Sequence, residues 1–346
     1  MSMQRYASDL ESAYLSQGWE VTVKRPSAAL SSRIGYGPLR KLIAYVEALI
    51  IFPVAVASRS PRAQLLHVSD HSNALWLLGP AAWRFRRAIV TCHDLFAVRA
   101  ALGEIPEHST RATGRLYQAL VRAGMTQADL IECDSDVTRS DVERLIPRAD
   151  CVTIHLPVAR TAQPNPTSSH EGNYVMVVSP GGWRKRREHA VAVWERLRQS
   201  EASSPLSLVV VGPELEPHEL SATAQPDQIQ VVNGVSDEEL HSLYASALAV
   251  LQVSRYEGFG WPIVEAHVNG TPALCTDGAV FREIAGDGGI FLSDDLDSVD
   301  WDAVLKQLRL AASRDRALEN ARRFTPKQFA RKVDDVAAQL IESKDA

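Results

Sequence analysis

Short runs rich in apolar residues alternate with longer amphipathic stretches along the chain. In the first half the compact runs are Val21–Val23, Leu65–Val68, Ala88–Thr91, Leu130–Cys133 and Cys151–Ile154, each followed by turn or polar residues. Runs of this length and bounding are expected of buried strands. Helical periodicity occupies segments such as Thr113–Ala128 and Val137–Leu145. The alternation predicts βαβ units around a parallel sheet. It breaks at Ala159–Asn173, a stretch of Pro, Ser, Thr and Asn without apolar period, which reads as a linker. The rhythm then restarts with strands at Tyr174–Val178, Leu206–Val211, Ile229–Val232, Ala249–Val253, Ala273–Thr276 and Gly289–Leu292. Helices such as Arg187–Arg198 and Asp237–Ser246 fall between them. The expected fold is α/β, two Rossmann-like, doubly wound parallel-sheet domains. They would cover 1–160 and 173–325 and face a cleft at the C-terminal edges of their sheets.

Composition sharpens this little. A chain of 346 residues with 45% apolar and 23% charged residues carries two ordinary cores and is neither fibrous nor disordered. Cys92, Cys133, Cys151 and Cys275 show no CxxC or Cys/His spacing, so they read as buried thiols of a reducing compartment. The net charge of −5 argues against nucleic acid as a partner. Residues 1–90 nevertheless hold eleven Lys/Arg against five Asp/Glu, which suits an anionic acceptor or a membrane surface, or simply solvated helix faces. Leu42–Ala57 is the most apolar stretch, but Glu47 and Pro53 interrupt it and it is too short to span a bilayer. It reads as a helix and its exit, with interfacial binding as the alternative. Met1 opens into a polar amphipathic stretch rather than a secretory signal, so the expected location is cytoplasmic, including the inner face of the membrane.

The most informative segment is Ser254–Ala266, SRYEGFGWPIVEA. It follows a strand, turns on Gly258 and Gly260, and enters a helix with Pro262 in its first turn. Glycines before a helix start let backbone N–H groups approach an anion, which the helix dipole also favours. Glu257 at the loop mouth and Glu265 in the helix can border one pocket and accept hydrogen bonds from sugar hydroxyls. A second constellation, Ser179–Arg187 (SPGGWRKRR), sits between a strand and a helix. Cations there would stabilise negative charge that develops on a bound group. At about 4 Å and an effective dielectric of 20 a charge pair is worth roughly 4 kcal/mol. In the first domain Val90–Leu95 places His93 and Asp94 just past a strand at the cleft edge, and a histidine has the pKa for proton transfer.

Together these residues resemble the retaining glycosyltransferases of GT-B fold known as family 4, or glycosyl transferases group 1. The likeness runs through Glu257-Gly258-Phe259-Gly260 to Glu265-Ala266, then Asn269–Pro272 and Phe281–Ala285. Backward it takes in Val211-Gly212 and Val235–Leu240, and so spans the second domain. In the first domain His67, Asp70-His71, Ala128-Asp129 and Ser135 to Thr138 resemble strand ends of the family. The resemblance implies that Glu265 binds the ribose hydroxyls, while Glu257 holds a hydroxyl of the transferred sugar. Gly258, Phe259 and Gly260 would present N–H groups, and the backbone of Val235 would read the base. Lys185 matches the family's diphosphate lysine. The family's arginine five or six residues earlier is replaced by Ser179 and Pro180, so Arg184 or Arg186 would stand in. Otherwise Arg186 and Arg187 read as a solvated basic helix start. His93 would act near the sugar, as acid–base or by orienting it. A last helix, Pro326–Ser343, within 326–346, would pack back on the first domain.

The implied reaction is retaining, metal-independent transfer of a hexose to an acceptor hydroxyl in glycan, polysaccharide or glycolipid biosynthesis. Its donor would be a nucleotide diphosphate-sugar, GDP-mannose or a UDP-sugar, and its acceptor a glycan or lipid-linked one. No metal and no further cofactor are expected; Asp134-Ser135-Asp136 and Asp295-Leu296-Asp297 match the weak DxD pattern outside the expected nucleotide pocket. The family's opening strand is missing before Arg5-Tyr6, so either that strand is lacking or the native start lies upstream. The competing expectation is a GT-B protein that binds nucleotide-sugars without turnover.

Overall fold

A computed structural model of the protein describes residues 2–26, 30–33, 35–59, 63–79, 85–147, 149–159, 173–200 and 205–343. The Ala159–Asn173 stretch lies outside them, apart from its two end residues. The chain divides into two compact bodies, Met1–Leu156 with Pro326–Ala346, and Pro157–Thr325.

The first body holds four parallel strands, β1 (Leu65–Val68), β2 (Arg87–Cys92), β3 (Leu130–Cys133) and β4 (Cys151–Thr153), side by side in chain order. Val68, Val90 and Ile131 lie opposite one another across the first three. They form the core with Val121 and Met125 of the helix Ala112–Met125 and Val142 of the helix Asp136–Leu145. Burying each such side chain fully contributes about 1.5–3 kcal/mol. Val21–Val23, expected as a strand, is not one: no strand among the described residues pairs with it. Extended backbone without a ladder partner leaves its N–H and C=O groups to solvent, so it stays irregular.

The first helix, Ser2–Ser16, and the last, Pro326–Glu342, belong to this body and pack against each other. Tyr6 meets Phe329 edge-on at 6.2 Å, and Trp19 Nε1 donates to Asp334 Oδ1 at 2.7 Å. Arg87 Nε donates to Leu340 O at 2.9 Å, tying β2 to the last helix. The apolar Leu42–Ala57 stretch lies in a helical run made of Pro38–Val46, a π-turn at Glu47–Ile51 and Phe52–Arg59. Pro53 lacks an N–H and would clash with the preceding turn; the widened π-turn just before it absorbs that misfit. No helix among the described residues is long and apolar enough to cross a membrane.

The second body has six parallel strands: β5 (Tyr174–Val178), β6 (Ser207–Val211), β7 (Ile229–Val232), β8 (Ala249–Gln252), β9 (Ala273–Thr276) and β10 (Gly289–Leu292). Their order is β10-β9-β8-β5-β6-β7. Successive crossovers therefore run one way from β5 and the other way from β8. Loops leaving β5 and β8 diverge to opposite faces and open a crevice between the ends of these two strands. Val175, Leu208, Leu251 and Leu274 fill the core under the fully buried Trp194 of the helix Arg187–Ser200.

Candidate active site

The two motifs singled out in the sequence leave the sheet on either side of that crevice. The loop after β5 turns through Gly181 (φ 85°) and Gly182 (φ 95°) into a short 3-10 turn, Trp183–Lys185. Arg186 then takes a left-handed conformation before the helix Arg187–Ser200. The loop after β8 ends at Gly260 (φ 97°), which caps the helix Trp261–Val268 with Pro262 in its first turn. Arg255 N donates to Arg184 O at 2.8 Å and joins the two loops. Beside that link the Lys185 ammonium is ion-paired with Glu257 Oε1, both side chains mostly buried. Gln252, the last residue of β8, donates from Nε2 to Glu257 Oε1 at 3.2 Å and to Ser254 Oγ at 3.1 Å. A cation and a carboxylate separated by 72 residues in the chain thus meet at the strand-order reversal.

The neighbouring arginines have other duties. Arg186 donates to Asp294 Oδ1 at 2.8 Å and contacts His189. Arg187, read from the sequence as part of a solvated helix start, is buried. Its guanidinium takes both oxygens of Glu219, at 2.9 and 2.6 Å, and the carbonyls of Pro213 and Glu214 at 2.6 and 3.1 Å. The correction has a physical source, because the turn after β6 folds back over the first turn of the helix. Gly212 permits that fold: a Cβ there would meet Ser179 O at 2.0 Å. Burial alone would raise the Glu219 carboxyl, but the bonds from Arg187 and Glu216 N hold it below its ordinary value.

Glu265 lies in the helix Trp261–Val268, mostly buried, with Oε2 accepting from Tyr244 OH at 2.8 Å. Gly258 is buried, and Phe259 is wedged edge-on between Trp261 and Phe324 at 6.0 and 5.8 Å. Val235, half-buried, precedes the helix Asp237–Ser246, which opens on a capping box between Ser236 and Glu239. The sequence reading missed Gln252, Tyr244 and Arg187–Glu219. Tyr244 looks like any core position of an amphipathic helix, and Gln252 like a strand's polar end. The DxD carboxylates are spent locally: Asp134 on His93, Asp136 on Thr153, Asp295 on the amide of Asp297, and Asp297 on Arg196.

In the first body His93 follows β2 and is almost wholly buried. Its Nδ1 meets Asp134 Oδ2 at 2.7 Å and its Nε2 meets Ser69 O at 3.0 Å. Ser69 O can only accept, so Nε2 donates to it, while Nδ1 and the Asp134 carboxyl, itself raised by burial, hold a proton between them. Burial pulls its pKa down, but the Asp134 charge and bond, Ser69 O and the Asp70 charge together lift it to about 9. Deeper in, Tyr6 OH donates to Glu132 Oε1 at 2.9 Å and is hydrogen-bonded to Thr91 Oγ1 at 2.7 Å. His67 bridges Thr91 Oγ1 and Tyr14 OH, both at 2.8 Å. Burial, reinforced by Asp134, raises Glu132 to about 8 against the lowering influence of Tyr6 and His93. Burial, with the His93 charge, lowers His67 to about 3.

His93 and Glu132 both hold a proton more tightly in the folded protein than their ordinary 6.5 and 4.5. The stability His93 contributes is complete below pH 6.5 and is lost as pH rises through 9. Glu132 changes in the same sense, its contribution declining from pH 4.5 and gone above 8. His67, displaced the other way, loses stability only as pH falls from 6.5 through 3 and does not act in this window. Hydrogen exchange at the β2 and β3 amides is therefore expected to show the first body weakening by a few kcal/mol between pH 6.5 and 9, His93 and Glu132 acting together. A His93→Gln variant should make that slope shallower and leave the part due to Glu132; an unchanged slope would remove His93 as a source.

Comparison with known proteins agrees with the fold and the motif. Residues 159–327 match the family described as glycosyl transferases group 1. The chain is 25% identical over 282 residues to O-antigen chain mannosyltransferase B of Escherichia coli, spanning 75% of this chain and 72% of that protein. A shorter match, 34% over 82 residues, joins it to O-antigen chain mannosyltransferase RfbU of Salmonella typhimurium, covering 24% of this chain and 23% of the relative. Among solved structures it superposes on sucrose-phosphate synthase from Thermosynechococcus elongatus with a TM-score of 0.73. That match has 17% identity and covers 98% of this chain and 93% of the other. Anabaena HepE in complex with UDP superposes with a TM-score of 0.65 at 14% identity, over 85% of this chain and 84% of that one. The chain is a glycosyltransferase with the GT-B fold, and its second domain matches the family described as glycosyl transferases group 1.

Proposed function

We propose that the protein transfers mannose from GDP-mannose, with retention of configuration and without a metal ion, to a hydroxyl of a growing polysaccharide or lipid-linked glycan. A UDP-sugar is the second donor considered. The observation that carries this reading is the Lys185–Glu257 ion pair at the crevice between β5 and β8. The relatives named as O-antigen mannosyltransferases support mannose as the sugar.

The proposed division of labour follows from the geometry. Glu257, fixed by Lys185 and Gln252, accepts a hydroxyl of the transferred hexose. An ammonium has three donors, so Lys185 keeps Glu257 and still offers an N–H to the diphosphate as the glycosidic bond breaks. The N–H groups around Gly258, Phe259 and Gly260 face the same developing charge at a helix start. Glu265, oriented by Tyr244, takes the ribose hydroxyls, and the backbone near Val235 takes the base. Arg184, whose carbonyl accepts from Arg255 N in the loop beside Lys185, is the proposed second cation. His93, with both ring nitrogens engaged by Asp134 and Ser69 O, orients the sugar's side of the first domain, and the leaving phosphate serves as the base. The acceptor would be met in the cytoplasm or at the inner membrane face.

A thermal-shift screen of UDP-, GDP-, ADP- and dTDP-sugars tests the donor. GDP-mannose is expected to raise the melting temperature most, and Glu265→Ala to abolish the rise. Transfer that survives EDTA is expected as well; loss restored by manganese would overturn the metal-free step. A donor-induced shift with no transfer to any acceptor of a broad panel would establish the non-catalytic reading.

A further inference from the structure

The helical run Pro38–Arg59 is fastened to the first body along one side only. Glu47 accepts the backbone N–H groups of Leu30 and Ser31, Trp76 Nε1 donates to Ala48 O at 2.9 Å, and Phe52 packs on Trp76 at 4.8 Å. The other side carries Leu39, Leu42, Val46, Ile50 and Val54 at intervals of three and four residues, all exposed. Tyr36 (96% exposed), Tyr45 and Leu30 extend the apolar surface at its N-terminal end. A soluble helix normally turns such a stripe inward, so a continuous outward one marks a surface that something covers. Basic residues border it: Arg33 and Lys41 are exposed, and the Arg40 guanidinium lies over the Tyr36 ring at 4.3 Å. Residues 21–59 contain six Lys/Arg and a single acid, Glu47, whose carboxylate is buried in backbone bonds.

An apolar stripe with exposed tyrosines and bordering cations, and no exposed acid within residues 21–59, complements an anionic lipid surface: the side chains enter the acyl boundary while the cations meet phosphates. Two-fold pairing of the chain through this stripe would set its basic borders against each other, whereas anionic phosphates complement them. We infer that the Pro38–Arg59 helical run docks the protein on the surface of an anionic membrane, lying in the interface with Leu39, Leu42, Val46, Ile50 and Val54 inserted. This adds a place of action to the transfer reading and does not rest on it, since binding is read without any donor.

The test is sedimentation of the full chain with vesicles of phosphatidylcholine alone or mixed with phosphatidylglycerol. Binding is expected to the mixed vesicles and to weaken with added salt. The Leu42→Glu/Ile50→Glu double variant should lower it about tenfold or more, since two buried side chains and two repulsive charges change together. Leu116→Glu, an exposed leucine on the helix Ala112–Met125, should leave it unchanged. Unaltered circular dichroism and melting of the variants will separate docking from folding. Failure of the native chain to bind mixed vesicles, or equal loss in both variants, overturns the inference. So does a dimer in analytical ultracentrifugation that the double variant abolishes without any vesicle binding.

Discussion

Lys185→Ala is expected to lower turnover by about two to three orders of magnitude, the loss typical of removing one group that stabilises a developing oxyanion. The variant acts twice. It removes the cation facing the diphosphate, and it leaves Glu257 with only the Gln252 bond, so an unpaired carboxylate remains beside the two phosphates it should avoid. Most of the loss should fall on kcat, because the leaving group's charge grows only as the bond breaks. Glu257→Gln separates the two effects: it preserves an acceptor for the sugar hydroxyl and frees Lys185, so it should cost much less. Single-turnover kinetics with saturating donor is the measurement. A Lys185→Ala enzyme within a factor of a few of the native rate would remove the pair from the chemistry.

Arg187→Ala is expected to give the largest loss of stability among single changes near the site, about 3 kcal/mol, or roughly 10 °C in the melting temperature of a domain this size. The arginine is 3% exposed and all four of its bonds are internal, two to Glu219 and one each to Pro213 O and Glu214 O. Truncation strands the Glu219 carboxylate and two carbonyls at once. A double variant, Arg187→Met with Glu219→Leu, should recover much of the loss, since it removes both charges together. Chemical denaturation of the three variants decides the matter. Equal stability of the single and double variants would mean that the pair contributes nothing beyond its volume. A donor-binding arginine would instead impair turnover while leaving the melt unchanged.

The apolar pattern alone determined most of the architecture. Of the ten strands among the described residues, β1, β3, β5, β7, β9 and β10 occupy the ranges expected; β4, β6 and β8 are one residue shorter at an end, and β2 is one residue longer at each. Strands buried on both faces are compact apolar runs, and no distant partner is needed to recognise them. The glycine turn into Trp261–Val268 was legible for the same local reason: Gly260 needs a left-handed backbone, and Pro262 suits a first helical turn. What tertiary structure decided was everything that depends on partners far apart in the chain. Val21–Val23 has the composition of a strand, but only a neighbouring strand could make it one. Arg186 and Arg187 are adjacent and alike in sequence, yet one meets the exposed Asp294 and the other is sealed against Glu219. His93 suited either proton transfer or orienting the sugar, and only the fold brings Asp134 and Ser69 O against its two nitrogens. Periodicity records which face of an element is wet or dry; the charge state and duty of a polar group are set by what the fold brings against it.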